Sequence, residues 1–312
     1  MTLYLAPAAL GLGDLVVTLP VVQSLIKQGE KLVLILRLSE HEAVAKRIAG
    51  LAGYVMEWEF NEKKIDSKDR YIDLRDHDLQ RHAWWGSQKF EQDYPNWQIN
   101  DILEVICKDK GLAVDFAYRQ PLAFEPRPNA AGKIIFIPGS AVSFKCWPFA
   151  YWIDLARRLA EKGISAAVVG QPDYSGVVSE LINFGVEWLP TPLLSDAIDV
   201  ISSAKMVVSV DTGLLHISVH QGVETIGLYR QLPVYVRDFP NSKELISPIP
   251  CAQACRDIEM DKAHHTKPKA GKDFVPADWA CVAPIGKQCM DAISASQVFD
   301  TILPLLLGAD VD

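Results

Sequence analysis

Three clusters of polar residues have types and spacing that could act together on a charged substrate. The first is Gly11-Leu12-Gly13-Asp14, which follows a short apolar run from Leu3 to Ala8. A carboxylate at the start of a helix either satisfies N–H groups of the first turn or, aimed outward, serves as a general base. Gly11 and Gly13 permit a sharp turn and close approach of the backbone to a ligand. The dinucleotide fingerprint needs a small third residue where Val16 stands, which argues against a nicotinamide site. Arg37, at the end of the next apolar run, is the one feature that would suit a 2′-phosphate.

The second cluster is Pro138-Gly139-Ser140-Ala141-Val142-Ser143-Phe144-Lys145-Cys146-Trp147-Pro148. Ser140 and Ser143 offer hydroxyls, Gly139 an accessible N–H, and Lys145 a point charge for an anion. It is not a P-loop, because GxxxxGK[ST] is absent. Cys146 lacks a neighbouring His in sequence and reads as a packed thiol rather than a nucleophile. The third cluster, Asp211-Thr212-Gly213-Leu214-Leu215-His216, follows the apolar run Val207 to Val210. Asp, Thr and Gly would open a helix whose first N–H groups and dipole favour phosphate. His216 follows Gly213 by three residues, so both share one side of the first turn. An ordinary N-cap with a core histidine is the plainer alternative.

A fourth group has the composition of a metal site. Cys251, Cys255, Cys281 and Cys289 fall in the last fifth of the chain as two local pairs, with His264 and His265 between them. Four thiolates could hold Zn or Fe tetrahedrally. Disulfides and reduced thiols beside a cleft are the alternatives, since the spacing is looser than paired CxxC.

The elements that must position these residues alternate. Strands are expected at 3–8, 31–37, 54–60, 70–75, 133–138, 164–170, 205–210 and 223–229. Helices are expected at 15–28, 40–48, 99–110, 148–162, 174–183, 193–203 and 214–221. Repeated βα units imply parallel sheets covered on both faces, with ligands at the C-terminal ends of the strands. Residues 119–132 hold three prolines and little periodicity, a linker signature that separates two such blocks. The stretch from His77 to Gln98, with Trp84, Trp85 and Trp97, matches no simple period; its tryptophans read as core or interface, or as a platform for a sugar face.

Composition bounds the function. The chain has 312 residues, 49% hydrophobic and 22% charged, with net charge −8, which excludes global disorder and makes a generic nucleic-acid binder unexpected. No apolar run reaches the length of a membrane span. The apolar N-terminus lacks a basic segment and carries Asp14, so it reads as a strand and helix, and a cytoplasmic setting is expected. The lysine-rich segment 262–272 is a solvated face, or a contact for phosphorylated lipid A core, a membrane surface or nucleic acid.

Five segments together resemble a known family: GLGDLVVTLP at 11–20, YIDLR at 71–75, PGSAVSFKCWPFAYWIDLARRLAEKG at 138–163, ISSAKMVVSVDTGLLHISVHQGVETIGLY at 201–229 and CMDAI at 289–293. The resemblance is to glycosyltransferase family 9, the ADP-heptose:lipopolysaccharide heptosyltransferases, and runs in order over roughly 2–300. It implies an α/β GT-B fold, two Rossmann-like doubly wound domains facing an interdomain cleft: an acceptor domain, 1–125, and a nucleotide-sugar domain, 126–312, with a Cys-rich tail and C-terminal helix. It implies inverting transfer of a sugar from a nucleotide-diphospho-sugar, with an ADP-sugar favoured, to a glycan or lipid-linked acceptor hydroxyl, without a cofactor for catalysis. Asp14 then matches the family's base. Lys145 matches the lysine at the donor phosphates. Asp211, Thr212, Gly213 and His216 match the donor motif, and Asp173 is an approximate counterpart of an acidic nucleoside contact. Some relatives carry a four-cysteine iron site, which the tail resembles. A protein or modified nucleic-acid acceptor, and a non-catalytic nucleotide-sugar binding module, remain the alternatives.

Overall fold

The computed structural model describes residues 1–9, 11–80, 88–140, 145–172, 176–230, 239–249 and 288–307. Apolar runs form the central strands of two parallel sheets. In the first, β1 (Thr2–Ala6), β2 (Lys31–Leu36), β3 (Gly53–Met56) and β4 (Arg70–Asp73) are ordered β3-β2-β1-β4. Between them run helix α1 (Leu12–Lys27) and the single turn α2 (Glu42–Ala45); α3 (Gln88–Asp93) and α4 (Ile99–Asp109) follow β4. The second sheet has the order β10-β9-β8-β5-β6-β7, from β5 (Ile134–Ile137), β6 (Ala166–Val168), β7 (Glu187–Trp188), β8 (Met206–Val210), β9 (Glu224–Tyr229) and β10 (Ser242–Ile246). Its helices are α5 (Phe149–Glu161), α6 (Val177–Phe184), α7 (Leu194–Ser203), α8 (Gly213–His220), α9 (Gln288–Asp291) and α10 (Ala295–Leu307). Every strand pair is parallel, so each strand's C-terminal end points to the same edge of its sheet.

α1 is buried without a break from Leu15 to Leu25, the polar Thr18, Gln23 and Ser24 included, as expected of a helix with no solvent face. It packs between the sheets, and one apolar cluster runs from Leu3, Leu34 and Val22 through to Ile135, Val207 and Ile217. A second cluster covers the other face of the second sheet, with Trp147, Trp152, Val298 and Phe299 against Phe136 and Val208. The Trp147 Nε1–H donates to the Ile293 carbonyl at 2.8 Å, which ties the C-terminal helices to this layer.

Several boundaries differ from expectation. The strand expected over 54–60 stops at Met56, because the chain turns back so that the Glu59 and Phe60 N–H groups donate to the Met56 carbonyl at 2.9 and 3.0 Å. The Phe60 ring then packs between Tyr4 and Tyr71, with centroids 5.4 and 5.0 Å away. The helix expected over 40–48 is a 3₁₀ turn at Ser39–His41 and one α turn. β7 and β10 were not anticipated: one is two residues long, and the other is an edge strand, SKELI, whose polar residues hide the strand pattern. In the aperiodic 77–98 stretch, Trp97 stacks on Tyr94 at 4.5 Å and Tyr94 on Phe90 at 5.2 Å, which makes Trp97 part of the core rim. Trp84 and Trp85 lie outside the described residues.

The proline-rich segment 119–132 is not a loose linker. Side chains from both halves satisfy its backbone, where a neighbouring strand otherwise would. Gln23 of α1 accepts the Gln120 N–H at 3.0 Å, and Gln221, just beyond α8, accepts the Leu122 N–H at 2.7 Å. Arg47 donates to the Ala123 carbonyl at 2.7 Å. Asp199 of α7 accepts the Glu125 N–H at 2.9 Å and pairs with Arg47 at 2.7 Å and Arg127 at 3.2 Å. The Asp199 side chain is 3% exposed. Burial alone would push its carboxyl up, but the Glu125 N–H and the two guanidiniums outweigh this and hold it below the ordinary carboxylate range.

Because that group is depressed in the folded state, the stability it contributes is present above the unfolded carboxyl pKa and is lost as pH falls through the folded one. Asp199→Asn is expected to cost about 3–5 kcal/mol at neutral pH, the usual penalty for stranding one side of a buried pair. The gap from wild type should begin to narrow below about pH 4, where the carboxyl protonates in the unfolded chain, and go on narrowing as pH falls through the lower folded value. Urea unfolding at pH 7 and pH 3.5 checks this; a gap independent of pH would refute it.

Candidate functional site

Each element delivers one polar group to a sheet edge. β1 ends at Ala6, and the chain enters α1 at Leu12 with Asp14 in its first turn. The Asp14 Oδ2 accepts the Gly11 N–H at 2.8 Å. Behind it, the Thr18 hydroxyl donates to the Asp14 carbonyl at 2.8 Å and accepts the Ala8 N–H at 3.2 Å. The loop after β1 and the first turn of α1 are thus one hydrogen-bonded unit. Asp14 is half-buried and serves as an N-terminal cap while remaining at the surface of the gap.

β8 delivers Asp211, and Thr212 caps α8 from an extended conformation with no side-chain hydrogen bond to the helix. The first N–H groups of α8 therefore face outward from the sheet edge. β5 leads into Gly139 and Ser140, and the Ser140 hydroxyl donates to the Asp211 carbonyl at 3.3 Å. Lys145 lies 2.6 Å from Asp211 Oδ2, with side chains 26% and 21% exposed. Desolvation would raise the Asp211 carboxyl; the charges of Lys145, His216 and Arg230 outweigh it and hold it below its ordinary range. Cys146 is half-buried, its thiol 4.0 Å from the Ser140 carbonyl, consistent with a packing role.

The starts of α1 and α8 meet across the gap between the sheets. A Cβ on Gly13 would stand 2.8 Å from His216 Cδ2 and 3.3 Å from its Nε2. A Cβ on Gly213 would stand 2.8 Å from Leu12 Cβ and 2.9 Å from its Cγ and Cδ2. Each helix thus presents a glycine to a side chain of the other. Gly11, Gly13 and Gly213 all have φ outside the left-handed region, so the sharp turn expected of Gly11 and Gly13 is not their purpose. Gly13 makes room for the imidazole, and Gly11 donates to the carboxylate.

Asp14, Lys145, Asp211, Thr212, Gly213, His216 and Ser140 are therefore gathered at one gap. Ser143 and Asp173 lie outside the described residues. So do Cys251, Cys255 and Cys281; Cys289 sits half-buried in α9 beside the second core. Among the described residues no group of three or more His, Cys, Asp and Glu could hold a metal ion. Arg37 is paired with Glu57, which also takes Arg75 at 2.7 Å, so the fit of Arg37 to a 2′-phosphate is not supported. Arg75 grips Asp73 through Nε and Nη2, both at 2.7 Å, and this ionic lattice closes the C-terminal edge of the first sheet. Arg230, only 7% exposed, was missed by sequence reasoning; the signal was a lone arginine directly after a buried strand.

Two parallel α/β sheets with polar groups converging on the gap between them form the GT-B architecture, and solved structures of that kind align over nearly the whole chain. The E. coli heptosyltransferase WaaC with ADP-2-deoxy-2-fluoro heptose is 16% identical with a TM-score of 0.63, covering 97% of this chain and 99% of that one. The iron-containing dodecameric glycosyltransferase TibC from enterotoxigenic E. coli H10407 is 15% identical with a TM-score of 0.66, covering 98% of this chain and 76% of that one. Residues 62–261 match glycosyltransferase family 9 (heptosyltransferase), and the chain belongs to that family. Lipopolysaccharide heptosyltransferase 1 of Pseudomonas aeruginosa is 32% identical over 126 residues, 38% of this chain and 35% of that protein; the match spans about a third of that relative's length. No helix among the described residues is long and apolar enough to cross a membrane.

The contact between the helix starts can be measured. Gly213→Ala should destabilise the chain by about 1–3 kcal/mol, as inserting a methyl into a full space does. Leu12→Gly removes the atoms it would strike, so the double variant should recover part of the loss, giving a coupling of about 0.5–3 kcal/mol in a double-mutant cycle. Additive effects would place the helix starts apart.

Proposed function

We propose that this chain is an inverting glycosyltransferase that moves a sugar, heptose in the first instance, from a nucleotide-diphospho-sugar to an acceptor hydroxyl of lipopolysaccharide core. The observation that carries this reading is the close approach of the start of α1, which holds Asp14, to the start of α8, which directly follows the Asp211–Lys145 pair. Family membership supports it, as does the likeness to WaaC, solved with an ADP-heptose analogue. Residues 1–125 would hold the acceptor and 126–312 the donor, an ADP-sugar by preference. The enzyme would work in the cytoplasm, with a peripheral membrane contact where its acceptor is lipid-linked, and without nucleic acid.

On this reading each group has a task. Asp14 takes the proton of the acceptor hydroxyl as that oxygen attacks the anomeric carbon from the face opposite the diphosphate. Its Oδ2 is held by Gly11, which fixes the carboxylate for the transfer. As the sugar–oxygen bond breaks, charge builds on the diphosphate. Lys145 and the N–H groups of the α8 first turn are preorganised to meet it, each such donor contributing about 2.7–4 kcal/mol by analogy with an oxyanion hole. Asp211 orients Lys145 and keeps it from swinging into solvent. No step requires a metal at the reacting atoms.

Asp14→Asn is expected to lower turnover by about 10²–10⁴-fold while leaving nucleotide affinity within a few-fold of wild type. Lys145→Ala should do the reverse in emphasis, weakening nucleotide binding first. Calorimetry and product assays with ADP-, GDP- and UDP-sugars check both; wild-type turnover by the Asn variant would remove Asp14 from the mechanism.

We also propose that Cys251, Cys255, Cys281 and Cys289 hold a structural Zn or Fe, a reading supported by the four-thiol donor set and by the likeness to iron-containing TibC. Metal analysis of untagged protein purified without chelator should find one ion per chain, and its removal should lower thermal stability without altering nucleotide affinity. Substoichiometric metal would refute it.

A further inference from the structure

A large aromatic ring stands at the edge of the second sheet without core packing. Trp188 ends β7, is 37% exposed and joins none of the apolar clusters among the described residues. Its indole N–H holds it in place by donating to the Gly170 carbonyl at 3.0 Å. Gly170 has a φ of 120°, a backbone conformation that glycine alone adopts readily, so the turn after β6 is built to present that carbonyl. The strand register places the ring relative to the site already described. Val208, Phe136, Val168 and Trp188 form one row across β8, β5, β6 and β7. Gly170 lies two residues past this row and Asp211 three, so both have left the sheet at its C-terminal edge. Two strand spacings, about 10 Å, separate them, with Gly139 and Ser140 of β5 between. The Trp188 ring, leaning from β7 onto Gly170, therefore borders the edge on the far side of β6 from the Lys145–Asp211 pair.

We propose that Trp188 is the stacking platform for the base of the donor nucleotide. This rests on the donor-site reading above and deepens it by assigning the recognition of the base. With its phosphates at Lys145 and the α8 first turn, a nucleoside diphosphate laid along the sheet edge over β5 and β6 brings its base to the indole. Every base has a π-face, and stacking on an aromatic side chain needs no particular hydrogen bond. The indole N–H is already spent on Gly170, so what the residue offers a ligand is its flat face. The same hydrogen bond orders the ring before the nucleotide arrives, so less rotamer freedom is lost on binding. The platform touches neither the phosphates nor the sugar, so its contribution follows the base alone.

The test is calorimetric titration of ADP and inorganic pyrophosphate into the full chain and into Trp188→Ala, Trp188→Phe and Trp188→Leu, each checked for an unchanged thermal unfolding temperature. Trp188→Ala should lose at least tenfold in ADP affinity and less than threefold in pyrophosphate affinity. Trp188→Phe keeps a ring and should recover most of the ADP loss; Trp188→Leu keeps bulk without a π-face and should not. Unchanged ADP affinity in Trp188→Ala, equal losses for ADP and pyrophosphate, or full recovery by Trp188→Leu would overturn the assignment while leaving the donor site in place. Absence of ADP, GDP and UDP binding by the wild-type chain would overturn the donor-site reading and this inference with it. If Trp188→Ala does not fold, or pyrophosphate binds too weakly to measure, the Phe and Leu variants decide: equal ADP affinities in the two overturn the stacking role.

Discussion

Two missing Cβ atoms hold this arrangement together. The starts of α1 and α8 approach so closely that a methyl on Gly13 would press on His216 and one on Gly213 on Leu12. A helix start carries a partial positive charge and unsatisfied N–H groups, so bringing two together costs electrostatic energy that apolar packing behind them must offset. The buried length of α1 provides that packing, continuous with Ile135, Val207 and Ile217 of the second sheet. The result sets the α1 start with its Asp14 carboxylate beside the α8 start and its neighbouring Lys145–Asp211 pair.

The connection between the two halves is held just as firmly. The segment 119–132 passes along the back of both halves and is held by Gln23 and Arg47 from one side and by Asp199, Gln221 and Ser203 from the other. Amide and guanidinium side chains do there what a neighbouring strand does elsewhere, so the connection has a defined path. A buried ion pair is weak evidence of net stability but strong evidence of a fixed geometry, because losing one partner strands the other. Asp199 is of that kind, and it anchors the α7 side of the gap to the α2 side.

The sequence made the alternation of strands and helices legible because central parallel strands are continuous apolar runs, as in KLVLIL and MVVSV. The edge strands escaped for the opposite reason: SKELI is half polar and EW too short to carry a period. Asp14, Lys145 and the Asp211–His216 segment were legible because polar residues directly after apolar strands must emerge at a sheet edge. The reason for the glycines was not, since only the fold shows that Gly13 and Gly213 face side chains some two hundred residues away. Arg230 belongs to none of the motifs, and only the fold shows that it is buried. The proline-rich segment reads as a linker because its partners are side chains scattered from Gln23 to Gln221, which no local pattern reveals.

The most direct measurement is a crystal structure of the chain with a bound nucleotide-diphospho-sugar analogue whose transferable sugar cannot leave. The diphosphate should lie against the α8 first turn and Lys145, with the anomeric carbon turned toward Asp14 and His216 still seated on Gly13. A diphosphate bound elsewhere on the second sheet, or a sugar facing away from Asp14, would contradict the account.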